Sequence, residues 1–225
     1  MEVIKINDFN HHTLSESNII RRILSGEKEL FEILLRRNNQ KLYRVIRGYL
    51  TDAAEIEDIM QNTHLKAYEK LYQFKHNASY STWLIRIGIN EALARLKTKS
   101  KLYHLNTPQQ LNSNSILEQP DTTQLNPESR IIRQETQQLL ENAIDKLDSK
   151  YKTVYILKEV EGMTIKDIAI CLDISTANTK VRLHRAKHML KDKLFEVTTN
   201  VDIFQFGFSK CDQLTAQTMA IILKN

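Results

Sequence analysis

Turn-forming residues are scarce in this chain: its 225 residues include 5 glycines and 3 prolines. At average usage of about 7% and 5%, a chain of this length would carry roughly 16 and 11. An all-β sandwich or barrel needs a turn about every 8–12 residues, so that class is excluded, along with collagen-like and proline-rich chains. Two cysteines, Cys171 and Cys211, form no disulfide framework and suit a reducing compartment, so a cytoplasmic location is expected. No apolar run approaches the roughly 18–20 residues of a membrane span, and residues 1–10 do not read as a signal sequence; no membrane insertion is expected. A phosphate-cradling loop is also missing, because Gly26, Gly48, Gly88, Gly162 and Gly207 all stand alone.

What is present is charge, helical periodicity and one abrupt change of composition. Lys+Arg number 32 against 27 Asp+Glu, a formal net charge of +5, which suits a polyanionic partner without requiring one. Hydrophobic residues at 41% are enough for two modest cores. All three prolines, Pro108, Pro120 and Pro127, fall within residues 106–128, a stretch rich in Asn, Gln, Ser and Thr and without Lys or Arg. Such a stretch reads as a flexible linker between two helical halves.

Apolar residues recur at helical spacing on both sides of it. Ile19, Ile20, Ile23 and Leu24 precede a break at Ser25-Gly26. Leu30, Phe31, Leu34, Leu35, Leu42, Val45 and Ile46 then predict a helix ending near Gly48. Asp52-Ala53-Ala54-Glu55 has the form of a capping box and opens a helix that buries Ile56, Ile59, Met60, Thr63, Ala67, Tyr68 and Leu71. Another helix is predicted from Thr82 to about Lys97. In the second half, Leu139, Leu140, Ile144, Leu147, Val154, Ile156, Leu157 and Val160 carry the period to Gly162. A short amphipathic helix follows, then the turn Asp173-Ile174-Ser175, with Ser175 placed to cap a longer helix. Phe204, Phe206 and Phe208 alternate as in a strand, ahead of a weak helix from Asp212.

Two short helices joined by a three-residue turn form a helix-turn-helix signature, whose second helix enters the major groove. Between Asn178 and Lys193 that helix carries Lys180, Arg182, Arg185, Lys187, Lys191 and Lys193 against one acid, Asp192. Lys180, His184 and Arg185 are the candidates for base edges, with Ser175, Thr176, Asn178, Thr179 and Arg182 for the phosphate backbone. In the first half, Trp83, Arg86, Asn90 and Lys97 share one side of a helix beside the polar loop Asn77-Ala78-Ser79-Tyr80-Ser81-Thr82. A stacking plane with cations and amides suits single-stranded nucleic acid, although Trp83 taken alone would read as a core residue. Glu57, Asp58, Gln61 and Asn62 form a polar patch opposite an apolar stripe, which by itself is an ordinary wet surface. His184 and His188 have the i, i+4 spacing of a zinc site, but the string His-Arg-Ala-Lys-His lacks the glutamate. No nucleophile–base pair is visible, so an enzyme, a metal and a cofactor are not expected.

These residues resemble those of a bacterial RNA polymerase sigma factor of the extracytoplasmic-function (ECF) group of the sigma-70 family. Region 2 is carried by Leu30-Phe31-Glu32, Leu42-Tyr43, Glu57-Asp58-Ile59-Met60-Gln61-Asn62-Thr63, Leu65-Lys66-Ala67-Tyr68, Ser81-Thr82-Trp83-Leu84 and Ile87 to Asn90. Region 4 is carried by Glu161-Gly162-Met163-Thr164, Asp167-Ile168-Ala169 and Leu183-His184-Arg185-Ala186-Lys187. The resemblance implies an all-α protein of two small domains: region 2 over residues 19–101 and region 4 over 131–196. A lead-in would cover 1–18, the linker 102–130, and a tail of unassigned role 197–225.

It further implies that Glu57, Asp58, Gln61 and Asn62 bind the clamp helices of the largest subunit of core polymerase, with the flap region as a second contact. Asn77, Ser79, Tyr80, Thr82, Trp83, Arg86 and Asn90 would capture the melted −10 strand. The helix from Thr176 would read the −35 element, with Val181 standing where the family commonly has serine. Promoter DNA is the implied nucleic acid and an anti-sigma factor a further candidate partner. The rival reading is a conventional regulator with the same helix-turn-helix, which would bind a duplex operator without polymerase.

Overall fold

The computed structural model describes residues 14–103, 127–193 and 208–224, and all regular structure among them is helical. The first domain is built from α1 (Glu16–Leu24), α2 (Phe31–Arg47), α3 (Ala53–Glu69) and α4 (Tyr80–Tyr103). The second has α5 (Pro127–Asp145), α6 (Ser149–Tyr155), α7 (Ile165–Leu172) and α8 (Thr176–Lys193), and α9 (Phe208–Ile222) follows. The expected linker lies largely outside the described residues, apart from its first two positions, which end α4, and its last four, which open α5.

Local signals account for the helix ends. Ser15 Oγ accepts from the Asn18 N–H at 3.3 Å and starts α1. Asp52 Oδ1 accepts from the Glu55 N–H at 2.9 Å, the first half of the expected capping box. The reciprocal half is replaced: the Glu55 carboxylate pairs with Arg95 at 3.1 Å and Lys99 at 2.5 Å on α4. Two cations on a neighbouring helix hold it more firmly than one backbone donor would. Asp148 Oδ1 accepts from the Lys150 N–H at 3.1 Å and begins α6. Beyond α6, residues Ile156–Val160 form a π-helical turn, in which the Glu161 N–H reaches the Ile156 carbonyl at 3.0 Å. Gly162 closes that turn at φ +66°, a backbone region costly for residues with a Cβ.

Helices α2, α3 and α4 enclose the first core, with Phe31, Leu34, Leu35, Leu42, Ile46, Ile56, Met60, Leu71, Tyr80 and Leu84 all buried. α2 and α4 meet closely at Gly88, where an added Cβ would fall 2.7 Å from Leu42 Cδ1. The second core gathers Ile144, Leu147, Val154, Ile156, Leu157, Ile168, Cys171, Ala186 and Leu190, and it also takes in Val45, Ile85 and Ile89 from α2 and α4. The two domains are therefore packed together. Polar contacts flank this junction: Arg47 of α2 grips Asp145 through two bonds of 3.0 and 2.6 Å, and Arg44 bonds Glu161 at 3.1 Å.

The tail departs from expectation. Its helix starts at Phe208, four residues before Asp212, while Phe204 and Phe206 lie outside the described residues. The helix starts early because its buried stripe already includes the half-buried Cys211, followed by Leu214, Thr215, Thr218, Met219 and Ile222 at helical spacing.

One buried ionisable group has a consequence for stability. His64 is fully buried, its Nε2–H donates to Asn39 Oδ1 at 2.8 Å, and its Nδ1 has no hydrogen-bond partner. A second ring proton would have no acceptor, and burial holds the imidazole pKa down at about 3. The unfolded chain takes up that proton near pH 6.5 and the folded one does not, so stability falls as pH drops below that value. Between pH 6.5 and 4 the expected loss from this residue approaches about 1.4 kcal/mol per pH unit. Urea unfolding across that range checks it, with a shallower slope expected for His64→Gln.

Candidate nucleic-acid interface

The helix-turn-helix is made by α7 and α8. Thr164 Oγ1 accepts from the Asp167 N–H at 3.1 Å to start α7, which ends at Asp173 in the left-handed region, φ 54°. Asp residues tolerate that conformation better than most. The Ser175 hydroxyl then accepts from the Asn178 N–H at 3.1 Å, the cap expected from sequence. On α8 and at its cap, Ser175, Thr176, Asn178, Lys180, His184 and Arg185 are exposed and Arg182 is half-buried.

Thr179 stands apart from the other candidates. It is fully buried and its hydroxyl donates back to the Ser175 carbonyl at 3.1 Å, so it positions the turn rather than facing solvent. Arg182 donates to Asn178 Oδ1 at 2.9 Å, which orients both side chains along the helix. Arg185 donates to the Tyr151 hydroxyl at 3.4 Å and lowers the pKa of that phenol. Lys187 is drawn aside to Glu159 at 2.9 Å. Val181 is 49% exposed, an apolar side chain on an otherwise polar surface.

The candidate single-strand face lies at the start of α4. Ser79 Oγ accepts from the Thr82 N–H at 3.1 Å and caps the helix. Asn77, Ser79, Arg86 and Asn90 are exposed, and Trp83 is half-buried. Trp83 leans on Phe74 and Tyr80, with ring centroids 5.3 and 5.8 Å away, so it combines a packed edge with an accessible one. Tyr80 is fully buried, its hydroxyl has no hydrogen-bond partner, and burial raises its pKa. Thr82 is also buried, beneath α7: the Cys171 thiol donates to the Thr82 carbonyl at 3.2 Å. Burial pushes that thiol up to about 12, which makes Cys171 a core residue, as its place on the short helix suggested.

On α3 the polar patch divides in two. Asp58 and Asn62 are exposed, whereas Glu57 and Gln61, four residues apart, are half-buried. Among the described residues, no group of three His, Cys, Asp or Glu could hold a metal, and no helix is long and apolar enough to cross a membrane.

Comparison with known proteins matches both halves of this arrangement. Residues 34–102 match the family described as Sigma-70 region 2, and residues 137–190 match Sigma-70, region 4. The chain belongs to the sigma-70 family. Among its relatives is the ECF RNA polymerase sigma factor SigW of Bacillus subtilis, 27% identical over 185 residues, or 78% of this chain and 94% of SigW. The ECF RNA polymerase sigma-E factor of Haemophilus influenzae is 25% identical, over 80% of this chain and 96% of the relative. This chain is accordingly a sigma factor of the ECF type. The fold agrees with that of the sigma factor RpoE solved with the anti-sigma factor NepR from Bartonella quintana, at TM-score 0.58 and 20% identity, covering 77% of this chain and 98% of that one. CnrH, solved with the cytosolic domain of CnrY, aligns at TM-score 0.53 and 21% identity, covering 79% and 95%.

Sequence reasoning missed the residues that join the domains of this sigma factor. Arg44 and Arg47 lie on α2, whereas Asp145 is on α5, Lys152 on α6 and Glu161 just beyond the π-helical turn, and no spacing rule connects the two sets. Their one signal was the presence of charge at positions flanking apolar stripes. Lys152 Nζ adds a 3.1 Å bond to the Asp145 carboxylate already held by Arg47. Asp145→Ala is expected to cost about 1–3 kcal/mol. It should also speed alkylation of Cys171, because loosening the second domain uncovers that thiol. Denaturant unfolding and thiol-labelling kinetics check the two effects together.

Proposed function

We propose that this sigma factor directs core RNA polymerase to promoters by three surfaces. The exposed side of α3, at Asp58 and Asn62 with Glu57 and Gln61 beside them, takes the clamp helices of the largest subunit. The start of α4, at Asn77, Ser79, Trp83, Arg86 and Asn90, takes unpaired bases of the −10 strand. Helix α8 reads the −35 duplex through Lys180, His184 and Arg185, with the flap region supporting the second domain. The protein supplies specificity and melting, and the polymerase supplies the chemistry.

The observation that carries this reading is the exposed strip of α8. A capped three-residue turn presents Lys180, His184 and Arg185 outward while Ala186 and Leu190 anchor the helix in the core. A helix offered in this way fits the major groove, where Arg and Lys distinguish guanine by its two acceptors. The second support is the half-accessible Trp83 on the same helix as the exposed Arg86 and Asn90, a stacking edge with phosphate partners. Duplex recognition and strand capture on one chain suit initiation better than operator binding alone.

The packed arrangement also bears on mechanism. With Thr82 under α7, full access to the α4 face requires the second domain to lift from the first. Elements about two DNA turns apart, at roughly 34 Å per turn, call for the same separation. An anti-sigma factor is the natural regulator of such a step, in keeping with the partner named for RpoE.

The deciding experiment adds the purified protein to core polymerase and scores specific initiation on a promoter library. Tight binding to a duplex operator without polymerase, and no initiation with it, would replace this reading by that of a conventional regulator. Asp58→Ala is expected to lower core affinity while leaving promoter preference unchanged, measured by titration against labelled core. Arg185→Ala should weaken the preferred −35 sequence by about 1–3 kcal/mol and relax preference at one position, measured across a randomised −35 library.

A further inference from the structure

Helix α9 has no part in the reading above, yet it is docked on the first domain, against α2 and α3. Its buried stripe places Leu214, Met219 and Ile222 within the first core, with Thr215 and Thr218 buried beside them. The polar atoms at this seam are matched individually. The Asn39 amide, fully buried on α2, donates to Cys211 Sγ and to Thr215 Oγ1, both at 3.2 Å. Arg36 of α2 pairs with Asp212 at 2.5 Å. On the other flank Lys210 reaches Glu57 of α3 at 3.5 Å.

That last pair matters because Glu57 belongs to the surface assigned above to the polymerase. We propose that α9 is a displaceable intramolecular cover for the Glu57 edge of that surface. It lies along the groove of α2 and α3 and pairs with Glu57, so that docking of α9 and docking of the polymerase clamp helices compete. The proposal rests on the assignment of the α3 face to core polymerase, and it adds a regulator carried by the chain itself.

Three features make the cover releasable. Its seam mixes three large apolar side chains with two threonines and a buried amide, and these polar groups find water again once the surfaces separate. Its ion pairs are partly exposed, with Asp212 at 65% and Lys210 at 36%, so each contributes little to holding the helix down. A 15-residue helix is also marginal in isolation, and the Thr218 hydroxyl bonds back to the Leu214 carbonyl at 2.8 Å, which slightly weakens a helix. Once out of the groove α9 would tend to unravel, giving an element with two states. The released groove is shaped for an amphipathic helix, which is the chemistry of the partner proposed to bind there.

The test uses the full chain with the cover forced off and locked on. Leu214→Asp places a carboxylate in the core and drives α9 out; affinity for core polymerase should rise at least tenfold. For the lock, Asn39→Cys is combined with Cys171→Ser, which places a thiol at the position whose side chain now reaches Cys211, and loss of free thiol on oxidation verifies that the bond has formed. The oxidised lock should bind core at least tenfold more weakly than the same molecules reduced with dithiothreitol. This comparison is made on one folded preparation, so it holds even if Leu214→Asp fails to fold. Equal core affinity for the oxidised and reduced lock, with wild-type protein binding core normally, would overturn the cover and leave the polymerase assignment standing. Failure of every form to bind core would overturn the polymerase assignment and the cover with it.

Discussion

Helix α2 is buried on more sides than an amphipathic helix can satisfy with one neighbour, and the rest of the molecule is arranged around that demand. Nine of its 17 residues are buried, among them Asn38 and Asn39. One side fills the first core with Phe31, Leu34, Leu42 and Ile46. The C-terminal end offers Val45 to the second core and Arg44 and Arg47 to its acids. A third side holds Asn39, whose amide donates to Cys211 and Thr215 of α9. The same helix thus supports the first domain, the second domain and the tail.

The contacts around α2 differ in kind, and the difference follows from what each has to do. Within the first domain the packing is apolar and continuous, down to the Gly88 approach, which leaves no room for a side chain. Such a core opens only when the domain unfolds. Between the domains and under α9 the apolar contacts are bordered by ion pairs and by hydrogen bonds to threonine, asparagine and cysteine. Interfaces of that mixed type can separate while each side remains folded, because their polar groups find water on release. In the mechanism proposed above, the first core stays together while the domain junction and the α9 seam separate.

Much of the candidate site could be read from the residues alone. The Ser175 cap, the turn at Asp173 and the basic helix after it follow from local chemistry, as do the start of α3 at Asp52 and the end of α2 at Gly48. Less legible were positions whose role depends on a distant element. Thr179 lies among DNA-facing candidates, yet its side chain is turned inward because α8 packs against α6 and α7. Thr82 has the right chemistry for a nucleic-acid loop and is covered by α7. The Glu55 carboxylate left its local capping role for two cations on α4. In each case a contact distant in sequence outweighed a neighbour near in sequence.

By itself the sequence determined the helical class, the two-domain plan, several helix starts and the place of the helix-turn-helix. Those features depend on turn-former scarcity, on a 3.6-residue period and on capping within four residues, all of which are local. Tertiary structure alone decided that the two domains rest against each other, that Asp145 and Arg47 form the clasp, and that α9 lies over α2 and α3 beside Glu57. An amphipathic helix declares that it has an apolar face and not which surface will receive it. That choice is made by shape and by the pairing of buried polar groups, such as Asn39 with Thr215, which meet only when the chain has folded.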